Sequence, residues 1–108
     1  MRKIANTPDP PYYAVIFTAD RTDISAGYEE MARDMVELVQ EHPGFLGVES
    51  AEGATGILVS YWDSLESIRS WQMNDRHQVA RKRGVSEWYN ACRTRICKVE
   101  REYGFQRD

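Results

Sequence analysis

Near the aromatic residues of this chain, proton chemistry at neutral pH has one natural carrier. His77 has an imidazole that titrates at about 6.5 when unperturbed, so it can accept or release a proton there. Trp71 precedes it by six residues. Phe17, Tyr61, Trp62, Trp88 and Tyr89 fall in segments that read as strands, beneath the helices that carry Trp71 and His77. Trp and Tyr join a large apolar body to one hydrogen-bonding group, and a cavity lined with them suits a flat, partly polar aromatic ligand. Arg81 lies on the same side of a short helix as His77 and adds a cation to that lining.

Each of these residues also has a plainer use. Trp71, six past Leu65 and three past Ile68, has the spacing of a core residue, and His77 in the first turn of a helix fits a solvated polar side chain. Trp62 and Trp88 stand at strand ends, where aromatic rings cover the rim of a sheet, and Tyr12 and Tyr13 fit a sheet edge or a subunit interface. Arg81, Lys82 and Arg83 fit a solvated helix face, Arg93 and Arg95 share one strand parity and should pair with carboxylates, and His42 suits the C-terminal dipole of a helix. The chain has no P-loop, G-x-G-x-x-G, G-x-S-x-G or H-E-x-x-H signature. Cys92 and Cys97, five apart in a strand, would stand roughly 16 Å apart on opposite faces, beyond disulfide reach. With no third Cys or His near them they make a poor zinc site and read as reduced, partly buried thiols.

The length of 108 residues leaves room for one domain, and 42% hydrophobic with 29% charged residues is the composition of a globular protein, not of a disordered or collagenous one. No apolar run approaches a membrane span, and the N-terminal stretch has a charged start with no apolar segment behind it, so the expected location is the cytoplasm. A net charge of −3 argues against a main task of holding phosphate backbones. Residues 1–65 carry 4 basic and 11 acidic side chains, and residues 66–108 carry 10 and 6, so the second part could attract an anionic ligand.

Pro8, Pro10 and Pro11 make residues 1–11 an extended arm. The aromatic and β-branched run 12–19 reads as a strand with both faces apolar. Tyr28, Met31, Ala32, Met35, Leu38 and Val39 recur at helical spacing, with Asp23 or Ser25 as cap and Pro43-Gly44 as stop. Segments 45–51 and 56–62 read as a hairpin, Asp63 with Glu66 as the cap of a second helix, and Asp75 with Gln78 as the cap of a third that ends at Gly84. Residues 87–99 read as the last strand. This order gives an α+β, ferredoxin-like βαββαβ fold: one four-stranded antiparallel sheet with helices on one face. No segment is left over for the other face, so a second copy is expected there, sheet to sheet about a twofold axis, and an isolated monomer should be poorly soluble.

With Pro43-Gly44-Phe45 entering the second strand, Tyr61-Trp62 closing the third, Ser67-Ile68-Arg69-Ser70-Trp71 followed by His77, and Trp88-Tyr89 opening the last strand, the chain resembles the antibiotic biosynthesis monooxygenase (ABM) domain. The likeness spans roughly residues 12–103, leaving 1–11 as an N-terminal arm and 104–108 as a tail. It implies a dimeric α/β barrel and places the chain among cofactor-independent oxygenases, haem-degrading enzymes and members without assigned activity. The haem-degrading branch carries a histidine ten residues after the helix tryptophan and an asparagine on the first strand; Arg81 takes that position here and residues 12–19 contain no Asn. The resemblance therefore implies a homodimeric monooxygenase with no cofactor and no metal, acting on a phenol, quinol or anthrone-like aromatic. In it His77 would be the base, Trp71 a hydrogen-bond donor, and Phe17, Tyr61, Trp62, Arg81, Trp88 and Tyr89 the substrate lining.

Two other classes compete. The same barrel can bind an aromatic ligand with no turnover. An RNA-binding module shares the βαββαβ order, but Thr55-Gly56-Ile57-Leu58-Val59-Ser60-Tyr61-Trp62 lacks the basic start and interior aromatics of an RNA-recognition strand. Neither nucleic acid nor a membrane is an expected partner.

Overall fold

Antiparallel pairing in the computed structural model, which describes residues 4–107, joins four strands in the order β2-β3-β1-β4. Met1–Lys3 of the expected arm and Asp108 of the expected tail lie outside the described residues. The strands are β1 (Tyr12–Arg21), β2 (Phe45–Ala51), β3 (Thr55–Trp62) and β4 (Tyr89–Val99). α1 (Tyr28–Gln40) joins β1 to β2, while α2 (Leu65–Gln72) and α3 (Asp75–Arg83) lead from β3 towards β4. The fold is α+β and ferredoxin-like, as the order of apolar periodicities predicts.

Pairing register settles which side chains share a face, because residues directly opposite one another point the same way. Tyr13 pairs with Trp62 and Val15 with Ser60, and Tyr13 and Val15 pack against the core of Val39, Trp62, Ile68 and Trp71. Odd-numbered residues of β1 therefore face the helices. Tyr12, Ala14, Ile16 and Thr18 face the other way, together with Tyr61, Val59, Ile57, Arg95 and Cys97.

Several local expectations need correction. Neither Asp23 nor Ser25 caps α1; its N-cap is Gly27 at φ 78°, a left-handed conformation that glycine adopts without steric cost, with no side-chain cap bond. Glu29 and Glu30 in the first turn suit the helix dipole instead. α2 is capped by Ser64, whose Oγ accepts the Ser67 N–H at 3.1 Å, while Asp63 accepts the Ser67 hydroxyl at 2.8 Å. At α3 the cap is Asn74, not Asp75: its Oδ1 accepts the N–H groups of Arg76 at 3.0 Å and His77 at 3.1 Å. Residues 84–88 form a π-helical turn, so β4 begins at Tyr89 and Trp88 lies outside it. Cys92 and Cys97 do sit on opposite faces, unbridged, but both are exposed rather than partly buried. Arg93 and Arg95 share a face, yet among the described residues the ion pair present is Arg83–Glu87, at 3.1 Å.

The far sheet face also differs from expectation, because the chain covers one corner of it alone. Glu49 accepts the Tyr61 hydroxyl at 2.6 Å and the Ala5 N–H at 2.9 Å. Thr7 and Tyr12 both donate to Glu102, beyond β4. The arm and the segment after β4 thus meet over β1 and β2, leaving Tyr12 only 5% exposed.

Gly44, after α1, stands at φ 86°, and a Cβ there would lie 2.1 Å from Ser67 Oγ and 2.5 Å from Asp63 Oδ1. Gly44→Ala should therefore lose about 2 kcal/mol of stability through backbone strain alone. Denaturant unfolding that matches the parent protein would refute this.

Candidate functional site

The bend between α2 and α3 brings together the two residues that the sequence singles out most strongly. Trp71 is in the last turn of α2 and its carbonyl accepts the Asn74 N–H at 3.0 Å; the Asn74 side chain then starts α3, placing His77 in the first turn. The rings lie 4.7 Å apart at 31°. Trp71 is 9% exposed and His77 is half-buried, with its Nδ1 buried and lacking a hydrogen-bond partner.

Burial, aided by the Arg81 guanidinium, pushes the His77 pKa down to about 4, against a smaller opposing influence of the Gln72 main chain. At neutral pH the ring is uncharged. Its Nδ1 is desolvated and enclosed in this conformation, so a ligand's polar hydrogen would meet it only after α3 moves.

The other expected lining residues separate into three groups. Phe17 and Tyr89 remain on the helix side, with ring centroids 5.4 Å apart, and Tyr89 also meets Tyr28 at 6.3 Å. Burial, followed by the neighbouring Tyr28, raises the Tyr89 pKa. Trp62 and Trp88 are sealed into the protein at 0% and 2% exposure, and their indole N–H groups donate to Ser60 Oγ at 2.9 Å and the Ala26 carbonyl at 3.1 Å. Neither has surface or donor left for a ligand in this conformation. Tyr61 lies on the opposite side of the sheet, where burial and the Glu49 contact raise its pKa. Arg81 is exposed on α3, close enough to act on His77.

Along α3 the inner positions are His77, Ala80 and Gly84. A Cβ on Gly84 would come within 2.6 Å of the Tyr89 ring. His77 against Trp71 and Gly84 against Tyr89 are thus the packing contacts at the two ends of this helix, about 10 Å apart in helical rise. A larger cleft lies elsewhere. It has a volume of about 640 Å³ and is lined by Arg21, Ser25, Tyr28, Glu29, Ala32 and Glu52, among others, with none of the residues selected from sequence. Three of its lining residues, Glu29, Glu30 and Glu52, are exposed carboxylates, which disfavour an anionic ligand there.

His42 has a larger part than a helix-dipole role suggests. Its ring lies 6.0 Å from Trp62 and 5.5 Å from Trp71, and its Nε2 is 3.2 Å from Ser70 Oγ. Its place directly before Pro43-Gly44-Phe45, which turns the chain back over the core, is the available sequence signal. Arg21 and Arg83 stack on Tyr28 and Trp88, at 3.4 and 4.7 Å from the ring centroids. Each pair spans the junction of two elements, β1 to α1 and α3 to the π-helical turn, where no single helical or strand spacing applies. Among the described residues, no group of three or more His, Cys, Asp or Glu side chains could hold a metal ion, and no helix is long and apolar enough to cross a membrane.

A β2-β3-β1-β4 sheet with its helices on one face defines a small ferredoxin-like protein. The chain belongs to the antibiotic biosynthesis monooxygenase family, whose model matches residues 11–83. It is 47% identical over 105 residues to the uncharacterized protein YqjZ of Bacillus subtilis (strain 168), a match that covers 95% of this chain and 92% of that protein. Its fold is similar to that of Rv0793 from Mycobacterium tuberculosis, with a TM-score of 0.75 at 12% identity over 86% of this chain and 99% of the other. It is also similar to a variant of SnoaB, a cofactor-independent oxygenase from Streptomyces nogalater, with a TM-score of 0.73 at 7% identity over 84% and 95% of the two chains.

The lowered His77 pKa makes stability depend on pH. Between about 6.5 and 4 an unfolded chain binds a proton that the folded one refuses, so the contribution is complete above 6.5 and declines as pH falls through that window. Its ceiling is roughly 3 kcal/mol. His77→Gln should flatten the loss of stability across this window in denaturant titrations; an unchanged slope would show that His77 titrates normally.

Proposed function

We propose that the protein is a monooxygenase acting, with no resident cofactor, on a small aromatic substrate of the phenol, quinol or anthrone kind. The observation that carries this reading is the partnerless, desolvated Nδ1 of a neutral His77 against the Trp71 ring, in a chain of the ABM family. His77 removes the acidic hydrogen of the bound ring, and the resulting anion passes an electron to dioxygen. Recombination forms a carbon–oxygen bond, and loss of water leaves one oxygen atom as a carbonyl, with the two substrate hydrogens departing in the water. The protein's task is to orient the ring, exclude water and stabilise the anion.

A conjugate acid at about 4 makes His77 a weak acceptor for an ordinary phenol. With phenols near 10, the mismatch is about 6 pK units, or roughly 8 kcal/mol. An anion formed in contact with the ring recovers about 1 to 3 units, and Arg81 stabilises the same charge. The site therefore favours substrates more acidic than a simple phenol, and among the classes named this singles out anthrone-type ketones, whose anion is an extended aromatic enolate. Proteins of this family are typically dimers, and in this reading a second copy covers the exposed part of the far sheet face.

The sealing of Trp62 and Trp88 favours a second reading, a dimer of the same fold that binds an aromatic ligand and has no turnover. Oxygen-electrode assays separate the two. Purified protein should consume oxygen with an anthrone or a dihydroxyarene, and His77→Ala should slow it at least tenfold with oxygen and substrate saturating. Quenching of Trp71 fluorescence by the same compounds, with no oxygen uptake, would establish the binder.

A further inference from the structure

We propose that α3 is a lid on the His77 site: the span 75–83 lifts away from Trp71 to admit the substrate, and the bound substrate holds it shut. Nothing along the helix secures it, since no residue of α3 is buried and its one valine, Val79, is 53% exposed. Of its charged residues, Asp75, Arg76, Arg81, Lys82 and Arg83, only Arg83 forms an ion pair among the described residues, with Glu87 at 3.1 Å. The seat is therefore confined to the two ends, His77 against Trp71 and Gly84 against the Tyr89 ring. Beyond both ends the chain is fixed. Trp71 is buried in α2, and past the helix Trp88 donates its indole N–H to the Ala26 carbonyl at 3.1 Å, while its own carbonyl accepts the Thr22 N–H at 2.8 Å. Only the span between these anchors is free to leave.

The shut form also carries a standing cost. His77 Nδ1 is enclosed with no hydrogen-bond partner, and a buried nitrogen left so is less stable than one that meets water. Opening to solvent relieves it. A bound ring whose hydroxyl or enol hydrogen reaches the same nitrogen relieves it too, and does so with the helix down. Nine residues are too few to stay helical in water, so α3 unwinds as it lifts and gives up the bonds from Asn74 Oδ1 to the N–H groups of Arg76 and His77. Lifting is thus a local unfolding of one segment, which leaves the core of Val39, Trp62, Ile68 and Trp71 in place.

Gating rests on the site proposed above, and two measurements tell them apart. In hydrogen exchange of the free protein, the amides of residues 79–83 should exchange well ahead of those bonded within α1 and α2. Asn74→Ala should speed the α3 amides about fivefold, the effect of one lost cap, and leave the other helices unchanged, while Asn74→Asp, which keeps a cap, restores the parent rate. Amides of α3 that exchange no faster than those of α2, or that respond to the variant only together with them, would overturn the lid. In stopped-flow mixing with anthrone, the rate of tryptophan quenching should reach a ceiling that further anthrone does not raise, and the ceiling should be higher in Asn74→Ala. A rate proportional to anthrone throughout would also overturn the lid. A ceiling with no oxygen uptake would end the monooxygenase reading and uphold the lid; no quenching by anthrone or by a dihydroxyarene would end both.

Discussion

Desolvation of one imidazole governs both the helical layer and the chemistry proposed for it. α3 has no buried residue and carries charge around most of its surface, so its own sequence supplies little reason to lie on the sheet. Its attachment comes from its ends: the Asn74 cap and the His77 ring against Trp71 at one, and Gly84 against Tyr89 at the other. Keeping His77 neutral is therefore a condition for seating α3. The same condition leaves a nitrogen lone pair in a dry place, which is what a base in a water-poor site requires.

The fold was legible because hydrophobic period alone separates the two main helices from the four strands, and the ferredoxin-like order follows from their succession. Trp71 and His77 were legible as a pair because both lie on short helices separated by a clear break. Strand parity, equally visible, already distinguishes Tyr61 from Trp62: adjacent residues cannot both face the helices, and Trp62 has the stronger reason to be inside. Trp88 is different in kind. Its burial depends on a π-helical turn whose geometry no short-range pattern announces, and on a carbonyl 62 residues away at Ala26.

Capping residues show how small a displacement sequence rules leave unresolved. At both α2 and α3 the true cap lies next to the expected acid, as Ser64 beside Asp63 and Asn74 beside Asp75. Each pair contains two competent cap types, and the choice falls to whichever residue the preceding chain leaves extended. The clasp of Glu49 and Glu102 over Tyr61 and Tyr12 was beyond such rules altogether, because it joins both ends of the chain across the sheet. Tyrosine hydroxyls at strand positions need partners once buried, and here Glu49 of the neighbouring strand β2 answers Tyr61 while Glu102, beyond β4, answers Tyr12.

The two faces of the sheet are thus treated in opposite ways by the same few strands. On the helix side, Trp62 and Trp88 are buried in the layer, and Gly84, just after α3, packs against the Tyr89 ring. On the far side the chain covers a corner with polar bonds and leaves the apolar remainder thinly covered. A sheet exposed on that side would flex most where β4 forms an edge, and Tyr89, the first residue of β4, is also a wall of the proposed site. In the proposed function, a second copy on the far face would bear on the helix side through β4, because Tyr89 opens that strand and packs against Phe17.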